Sequence, residues 1–375
     1  MALNKRKVLF VVNIPSPYRI DFFNELGRHC DLTVAFEGMT ASDRDLKWKG
    51  TDVENFHAVY LNGIRVTSER FFCPNVIQLL KEEWDHIFLG GYSTPTLMLA
   101  IEYLRIKKKK FFIEVDGGMV SADTRIKFNI KRHFVSSANG WMSTGKATTD
   151  FLVYYGADRN RCIEYPFSSV RTSDVLLSEI EEPLTYEKER ANIREQYKDL
   201  LSLKGEKVVL AVGQIIPRKG YDILIKAMQH VKIDCQVIIV GGKPTKELVD
   251  LINTSKLRNV KFIDFLTKEE LKEYYYAADI FIHPTREDIW GLVVNEALAY
   301  GLPVITTDKC VAGKELIVNG HNGFLVESEN DNKLAEVIEN YFRNNHKDFE
   351  YNAKQTALNY TIETMVKKHI EVIEV

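Results

Sequence analysis

The stretch 284–306, PTREDIWGLVVNEALAYGLPVIT, sets two carboxylates, Asp288 and Glu296, around a short apolar run that opens at Gly291. The pattern predicts a strand ending near His283, a polar loop, and a helix from Gly291 to Gly301 with Pro303 just beyond as a stop signal. Eight residues separate the two acids, which on a helix is about 12 Å of rise and about 80° of rotation. Such a pair cannot hold one small group between them. It can hold the two ends of an elongated ligand, while the first N–H groups of the helix, those of Leu292 and Val293, meet an anion between those ends. A hydroxylated sugar, a diphosphate and a ribose in series have that layout. The competing reading makes Asp288 a helix cap and Glu296 a solvated helix residue. Gly291, Glu296 and the A-x-x-x-G-L-P-V run at 297–304 fall in one register, which favours the ligand.

A second segment supplies positive charge. Residues 211–220, AVGQIIPRKG, run from an expected strand into an expected helix beginning near Tyr221, and Arg218 and Lys219 sit close to the carboxyl end of that strand. In an open α/β sheet ligands bind at that end. The bland alternative for the two cations is an exposed basic turn. Tyr274, Tyr275 and Tyr276 read as packing residues rather than base-stacking ones.

D-I-W-G-L-V-V-N-E-A resembles the E-x7-E signature of the retaining family 4 glycosyltransferases (glycosyl transferases group 1), which have the GT-B fold. AVGQIIPRKG resembles the same family's G-R-x-x-x-x-K-G loop. The resemblance implies that Asp288, Ile289, Trp290 and Gly291 face the donor sugar, that Glu296 takes the ribose hydroxyls, and that Lys219 clamps the departing diphosphate. Asp288 stands where Glu is usual, one methylene shorter, and either it or the neighbouring Glu287 reaches the sugar. Gln214 stands where Arg is usual, so Arg218 either supplies part of the missing charge or points to solvent. The turn Val240-Gly241-Gly242 resembles the family's I-V-G-x-G turn, and Phe265-Leu266 resembles the segment that packs on the base.

The elements that must position these residues are legible as alternating strands and amphipathic stretches, the pattern of βα units and a parallel sheet. Strands are expected at 7–13, 31–36, 86–90, 111–115, 141–144 and 162–166, and again at 207–213, 236–240, 260–264, 279–283, 303–306 and 323–326. The fold class is α/β: two Rossmann-like, doubly wound sheets in tandem, facing a cleft. The stretch 172–205, rich in Glu, Lys and Arg, reads as a solvated linker with a charged surface helix. It divides an acceptor-side domain at 1–175 from a donor-binding domain at 200–355, and the resemblance implies that the C-terminal helix, 356–375, crosses back to the first domain.

On the acceptor side, NIPSPYRIDFFNEL at 13–26 follows the first strand, and its loop offers Ser16, Tyr18 and Arg19 for acceptor contact or simply for the surface. Asp116, Gly117 and Gly118 follow the FFIEV strand in a sharp turn. Many members of the family carry a histidine at this place. Asp116 in its stead either bonds a sugar hydroxyl and orients the acceptor or caps a helix. His283, at a strand end, reads as a core residue or as donor-side packing, and His57 as isolated; neither reads as a catalyst. Asp43-Arg44-Asp45 spells a metal-binding D-x-D, but far in sequence from the donor segments, so no metal is expected.

Composition narrows the rest. The chain has 375 residues, 45% hydrophobic and 27% charged, enough for two domains with their own cores. Fifty basic against 52 acidic residues give a net charge of −2, no basis for binding a nucleic-acid backbone. Five scattered cysteines form no C-x-x-C pair, which points to a reducing, cytoplasmic location. No apolar run approaches the roughly 18 residues of a membrane span. Arg105 and Lys107 to Lys110 form the densest basic run, either a solvated helix end or a foot on an anionic membrane surface. The expected activity is transfer of a hexosyl unit from a nucleoside diphosphate sugar to a glycan or lipid-linked hydroxyl in cell-surface polysaccharide synthesis, with retention, no cofactor and no metal. The alternatives are a non-catalytic nucleotide-sugar-binding or glycan-binding subunit and a nucleotide-sugar epimerase. A dinucleotide dehydrogenase is disfavoured because neither half opens with G-x-G-x-x-G.

Overall fold

Runs such as VLFVV and VVLAV lack polar alternation, which suits strands covered on both faces by helices. In the computed structural model, which describes residues 5–39, 52–67, 70–203, 207–344, 346 and 348–375, these runs are the centres of two parallel sheets. The chain forms two compact units, residues 1–169 with 361–375, and residues 170–360.

The first unit runs β1 (Lys7–Val12), α1 (Pro17–Leu26), β2 (Asp31–Phe36), β3 (His57–Tyr60), β4 (Ile64–Arg65), β5 (Phe71–Phe72), α2 (Val76–Lys81) and β6 (His86–Leu89). It continues with α3 (Pro95–Lys107), β7 (Phe112–Val115), α4 (Arg125–Val135), β8 (Gly140–Ser143), α5 (Lys146–Tyr154) and β9 (Cys162–Glu164). Its seven-stranded sheet has the order β3-β2-β1-β6-β7-β8-β9, and β4 and β5 make a small antiparallel ribbon. Val8 to Val12 are all buried; Phe10 stacks on Phe88 at 4.6 Å and meets Phe22 and Phe23 of α1 edge-on. The sequence reading has no β3. Its residues alternate little and stay half-exposed at the sheet edge, so they carry no strong pattern.

The second unit runs α6 (Pro183–Leu200), β10 (Val208–Val212), α7 (Tyr221–Met228), β11 (Gln236–Val240), α8 (Lys246–Ser255), β12 (Val260–Ile263) and α9 (Lys268–Ala277). Then come β13 (Ile280–His283), α10 (Leu292–Ala299), β14 (Val304–Thr307), α11 (Val311–Leu316), β15 (Gly323–Val326), α12 (Asp331–Arg343) and α13 (Phe349–Asn359). The last helix, α14 (Ile362–Ile373), belongs to the first unit, where it packs on α1. The six-stranded sheet has the order β12-β11-β10-β13-β14-β15. Strand order reverses at β10, which pairs with β11 on one side and β13 on the other. The loops leaving β10 and β13 therefore flank a topological switch point, where a doubly wound sheet opens a crevice for ligands.

The stretch 172–205 is not a solvated linker. It lies within the second unit, and α6 carries Tyr186 and Arg190 fully buried. The Arg190 guanidinium donates to the carbonyls of Tyr275, Tyr276 and Ala278 at the end of α9 and to that of Tyr300 at the end of α10. Those carbonyls are the acceptors a helix leaves without an internal donor, and a cation there also meets the negative end of each helix dipole. A charge-rich sequence hides this arrangement because composition does not tell a buried cap from a solvated arginine.

Candidate functional site

The loop after β10 and the loop after β13 are fastened to each other. Gly220 adopts φ 70°, and a Cβ there would lie 2.0 Å from the carbonyl oxygen of Pro284, so only glycine permits this approach. The backbone N–H of Arg286 donates to the Arg218 carbonyl at 2.8 Å, Thr285 Oγ1 donates to the same carbonyl at 3.0 Å, and Arg218 Nη1 donates to the Glu287 carbonyl at 2.8 Å. This lacing brings the two sequence-distant motifs together.

At the junction, Lys219 Nζ donates to Asp288 Oδ2 at 2.5 Å, with both side chains 12% exposed. His283 Nε2 lies 2.9 Å from the same oxygen, and Arg218 Nη1 lies 3.6 Å from Oδ1. Burial pushes the Asp288 carboxyl up, but the hydrogen bond from His283 and the charges of His283 and Lys219 outweigh it and hold the group well below the usual carboxylate range. Burial pulls His283 down, and its hydrogen bond with Asp288 pulls it back up. The result is an anion held by two donors on one oxygen.

Asp288 is further fixed by its backbone, which bridges to Cys310: its N–H donates to the Lys309 carbonyl and its carbonyl accepts from Val311. Gly291, at φ 104°, turns the chain into α10; a Cβ there would lie 2.7 Å from Cys310 Sγ. The first N–H groups of α10, from Leu292 and Val293, are those a helix leaves to an outside acceptor. Further along α10, Glu296 accepts a hydrogen bond at 3.1 Å from the hydroxyl of the buried Tyr275. At the neighbouring strand, Gly241 has φ 135° and approaches Gly213 so closely that a Cβ would lie 2.2 Å from its carbonyl oxygen. Gln214 and Glu287 are exposed, and Leu266 is half-buried in the loop between β12 and α9.

Trp290 does not present its ring. It is 3% exposed, and its indole N–H donates to Asn295 Oδ1 at 2.7 Å, so the side chain is a packing wedge under the loop. Ile289, 59% exposed, is the outward residue beside it.

In the first unit, Ser16 and Arg19 are buried rather than offered to an acceptor. Arg19 donates to Glu114 and to Asp116, and Glu114 also meets His369 Nε2 of α14 at 3.0 Å. Burial would raise Glu114; the Arg19 charge and the His369 hydrogen bond bring it down to about 2 instead. Arg19 thus ties α1 to the end of β7, and α14 joins through Glu114. Asp116 is half-buried and is no helix cap, since Thr124 caps α4. Tyr18 packs edge-on against Phe167 at 5.7 Å. Gly117 has φ 149°, and a Cβ on Gly118 would lie 3.0 Å from the Phe151 ring, so the turn is set by close packing. Asp43, Arg44 and Asp45 lie outside the described residues. No cluster of three or more His, Cys, Asp or Glu side chains able to hold a metal occurs among the described residues.

Two residues that the sequence presents as packing residues, His283 and Tyr275, contact the candidate carboxylates Asp288 and Glu296. His283 lies five positions before Asp288 at the end of β13, and a loop that short returning past its own strand end was the available signal.

Residues 192–356 match the family model described as Glycosyl transferases group 1. A GDP-mannose-dependent monoacylated alpha-(1-6)-phosphatidylinositol monomannoside mannosyltransferase of Corynebacterium glutamicum is 35% identical over 141 residues, which cover 35% of this chain and 36% of that protein. An uncharacterized glycosyltransferase of Methanocaldococcus jannaschii is 30% identical over 129 residues, 34% of this chain and 36% of the relative. The chain thus spans about a third of the length of these relatives. Over the whole chain, the crystal structure of Anabaena HepE in complex with UDP is similar with a TM-score of 0.76 at 18% identity, covering 98% of this chain and 99% of that one. Residues 192–356 are thus similar to the glycosyl transferases group 1 family, and the two parallel-sheet units have the GT-B fold.

Proposed function

We propose that the chain transfers a hexosyl unit from a nucleoside diphosphate sugar to a hydroxyl of a glycan or lipid-linked sugar, with retention at the anomeric carbon, as a family 4 enzyme of cell-surface polysaccharide synthesis. The observation that carries the proposal is the Lys219–Asp288 contact at the switch point between β10 and β13, with Glu296 one short helix further on. The UDP bound to Anabaena HepE and the GDP-mannose dependence of the Corynebacterium relative support a nucleoside diphosphate donor.

In this reading the diphosphate meets Lys219, Arg218 and the N–H groups of Leu292 and Val293. Positive charge held in place before the reaction stabilises a leaving phosphate as its charge develops, and it does so without an ion. Asp288 keeps Oδ2 on Lys219 and His283 and turns Oδ1 to a sugar hydroxyl. Glu296, steadied by Tyr275, accepts the ribose hydroxyls. The acceptor oxygen bonds to the anomeric carbon as the bond to the phosphate oxygen breaks, and the acceptor proton passes to that departing oxygen on the same face.

The test is turnover with a panel of UDP, GDP, dTDP and ADP sugars and short glycan acceptors, followed by mass spectrometry. Lys219→Ala and Glu296→Ala should each lose about 10²–10³ in kcat/KM, the range seen when one charge-stabilising donor is removed. Wild-type turnover in either variant removes that residue from the mechanism, and donor binding without turnover under every acceptor points to a binding subunit instead.

A further inference from the structure

Arg286 stands two positions before Asp288, where an arginine could serve a diphosphate. Its side chain is already spent. A guanidinium has five N–H donors, and each of them has a partner in the fold. Nη1 donates to the Pro217 carbonyl at 2.6 Å and to Asp222 Oδ1 at 2.8 Å, and Nη2 donates to Asp222 Oδ2 at 2.8 Å and to Glu329 Oε2 at 3.2 Å. Nε donates to Glu329 Oε1. The contact with Asp222 is therefore bidentate, which fixes direction as well as distance, and the hydrogen bonds from Arg286 hold the Asp222 carboxyl below its usual range.

The partners of this fork lie where they can act on Lys219. Pro217 comes two residues before it, and Asp222, in the first turn of α7, three residues after it, so the chain on both sides of Lys219 is tied to one guanidinium. On the other strand's loop, Asp288 follows Arg286 by two residues. Lys219 and Asp288 are 69 residues apart in sequence, and their contact depends on whatever fixes the two loops to each other. Glu329 extends the tie to a third loop, between β15 and α12. It adopts φ 62°, a left-handed conformation that a residue other than glycine keeps only when its surroundings impose it, and both of its carboxylate oxygens meet Arg286. Arg286 and Asp222 are 29% and 28% exposed. An ion pair that open to water adds little to overall stability. What the fork supplies is geometry.

We propose that Arg286 is a positioning residue: it contacts no substrate, and its fork on Pro217 and Asp222 sets Lys219 against Asp288, so that the ammonium stands ready for the donor diphosphate. The inference rests on the donor-binding reading of Lys219 given above. The experiment is calorimetric binding of UDP, GDP, dTDP and ADP to the intact chain, carried on with whichever of the four binds tightest. Arg286→Lys keeps the charge but exchanges the planar fork for one ammonium, and it should weaken that affinity by about fivefold to tenfold. In a Lys219→Ala background the same change should alter affinity by less than about twofold, because a residue that acts through Lys219 has nothing left to position. Asp222→Asn, which keeps the shape of the partner and removes its charge, should follow the same pattern in both backgrounds. Circular dichroism and the urea midpoint check that each variant keeps its fold. A loss by the same factor with and without Lys219 would mean that Arg286 merely supports the loops, and would overturn the inference while leaving the donor reading in place. Unchanged affinity in both Arg286→Lys and Asp222→Asn overturns it as well. Failure of the unaltered chain to bind any of the four nucleotides overturns the donor reading and this inference together.

Discussion

Replacing Arg190 by methionine should cost about 3–5 kcal/mol of stability in the second unit. The guanidinium makes four hydrogen bonds, at 3.0, 2.8, 3.2 and 3.1 Å, all to backbone carbonyls at the ends of α9 and α10. Bonds from a charged donor contribute about 1.5–3 kcal/mol each, so the four sum to about 6–12. Against this stands the cost of burying the charge, which the downward shift of the Arg190 pKa reflects and which removal of the charge relieves by several kcal/mol. The remainder is the figure given. Lysine, with one compact ammonium in place of a planar fork, should recover less than half of it. Urea unfolding gives the global value, and hydrogen exchange read peptide by peptide locates the loss. Protection should fall first in the last turn of α9 and at 297–301, since those carbonyls lose their donor. A change below about 1 kcal/mol, or an equal loss of protection in the first unit, would refute the reasoning, because the contact would then carry no more than an average surface residue.

Three further expectations use other parts of the structure. His283→Phe removes the second donor on Asp288 Oδ2 and should lower kcat/KM by about tenfold, whereas His283→Gln, which can still donate, should recover most of it; equal loss in both variants would mean that His283 serves packing alone. Gly241→Ala should destabilise the second unit by about 2 kcal/mol or more, since the new Cβ meets the Gly213 carbonyl at 2.2 Å in a backbone region that L residues avoid, and an unchanged urea midpoint would contradict that geometry. Glu37, 2% exposed, is pushed up to about 7 by burial, only partly offset by the hydroxyl of Thr94. Between its ordinary value and pH 7 the folded chain keeps a proton that the unfolded chain has released, so stability should fall by about 3 kcal/mol as pH rises through that window. Glu37→Gln should flatten the profile, measured as urea midpoints across pH 4.5 to 8, and a slope unchanged by the substitution would remove Glu37 as its source.

The second unit's candidate residues fall close together along the chain. Asp288, Gly291 and Glu296 share a loop and a helix, and Gly213, Lys219 and Gly220 share a turn, so their spacing along the chain is also their spacing along one element. The first unit's candidates were less legible for the converse reason. Arg19, Asp116 and Glu114 sit on different elements, and only folding shows that Arg19 is occupied by two carboxylates and so is not offered to a ligand. Trp290 misled because an aromatic beside a carboxylate looks the same whether it stacks on a ligand or fills space beneath the loop; its 3% exposure decides for the second.

The order of short, wholly apolar strands and amphipathic helices settled two parallel sheets before any coordinate was known, because burial on both faces leaves a run with no polar position. Strand order within each sheet, and with it the switch point at β10, came only from the folded chain, since backbone pairing between strands leaves no mark on residue type. The same holds for charge. Sequence counts Arg190, Lys219 and Asp288 as ionisable groups, but the dielectric around each and the partner on each are properties of packing. Those two quantities decide whether a charge caps a helix, meets a ligand or faces water.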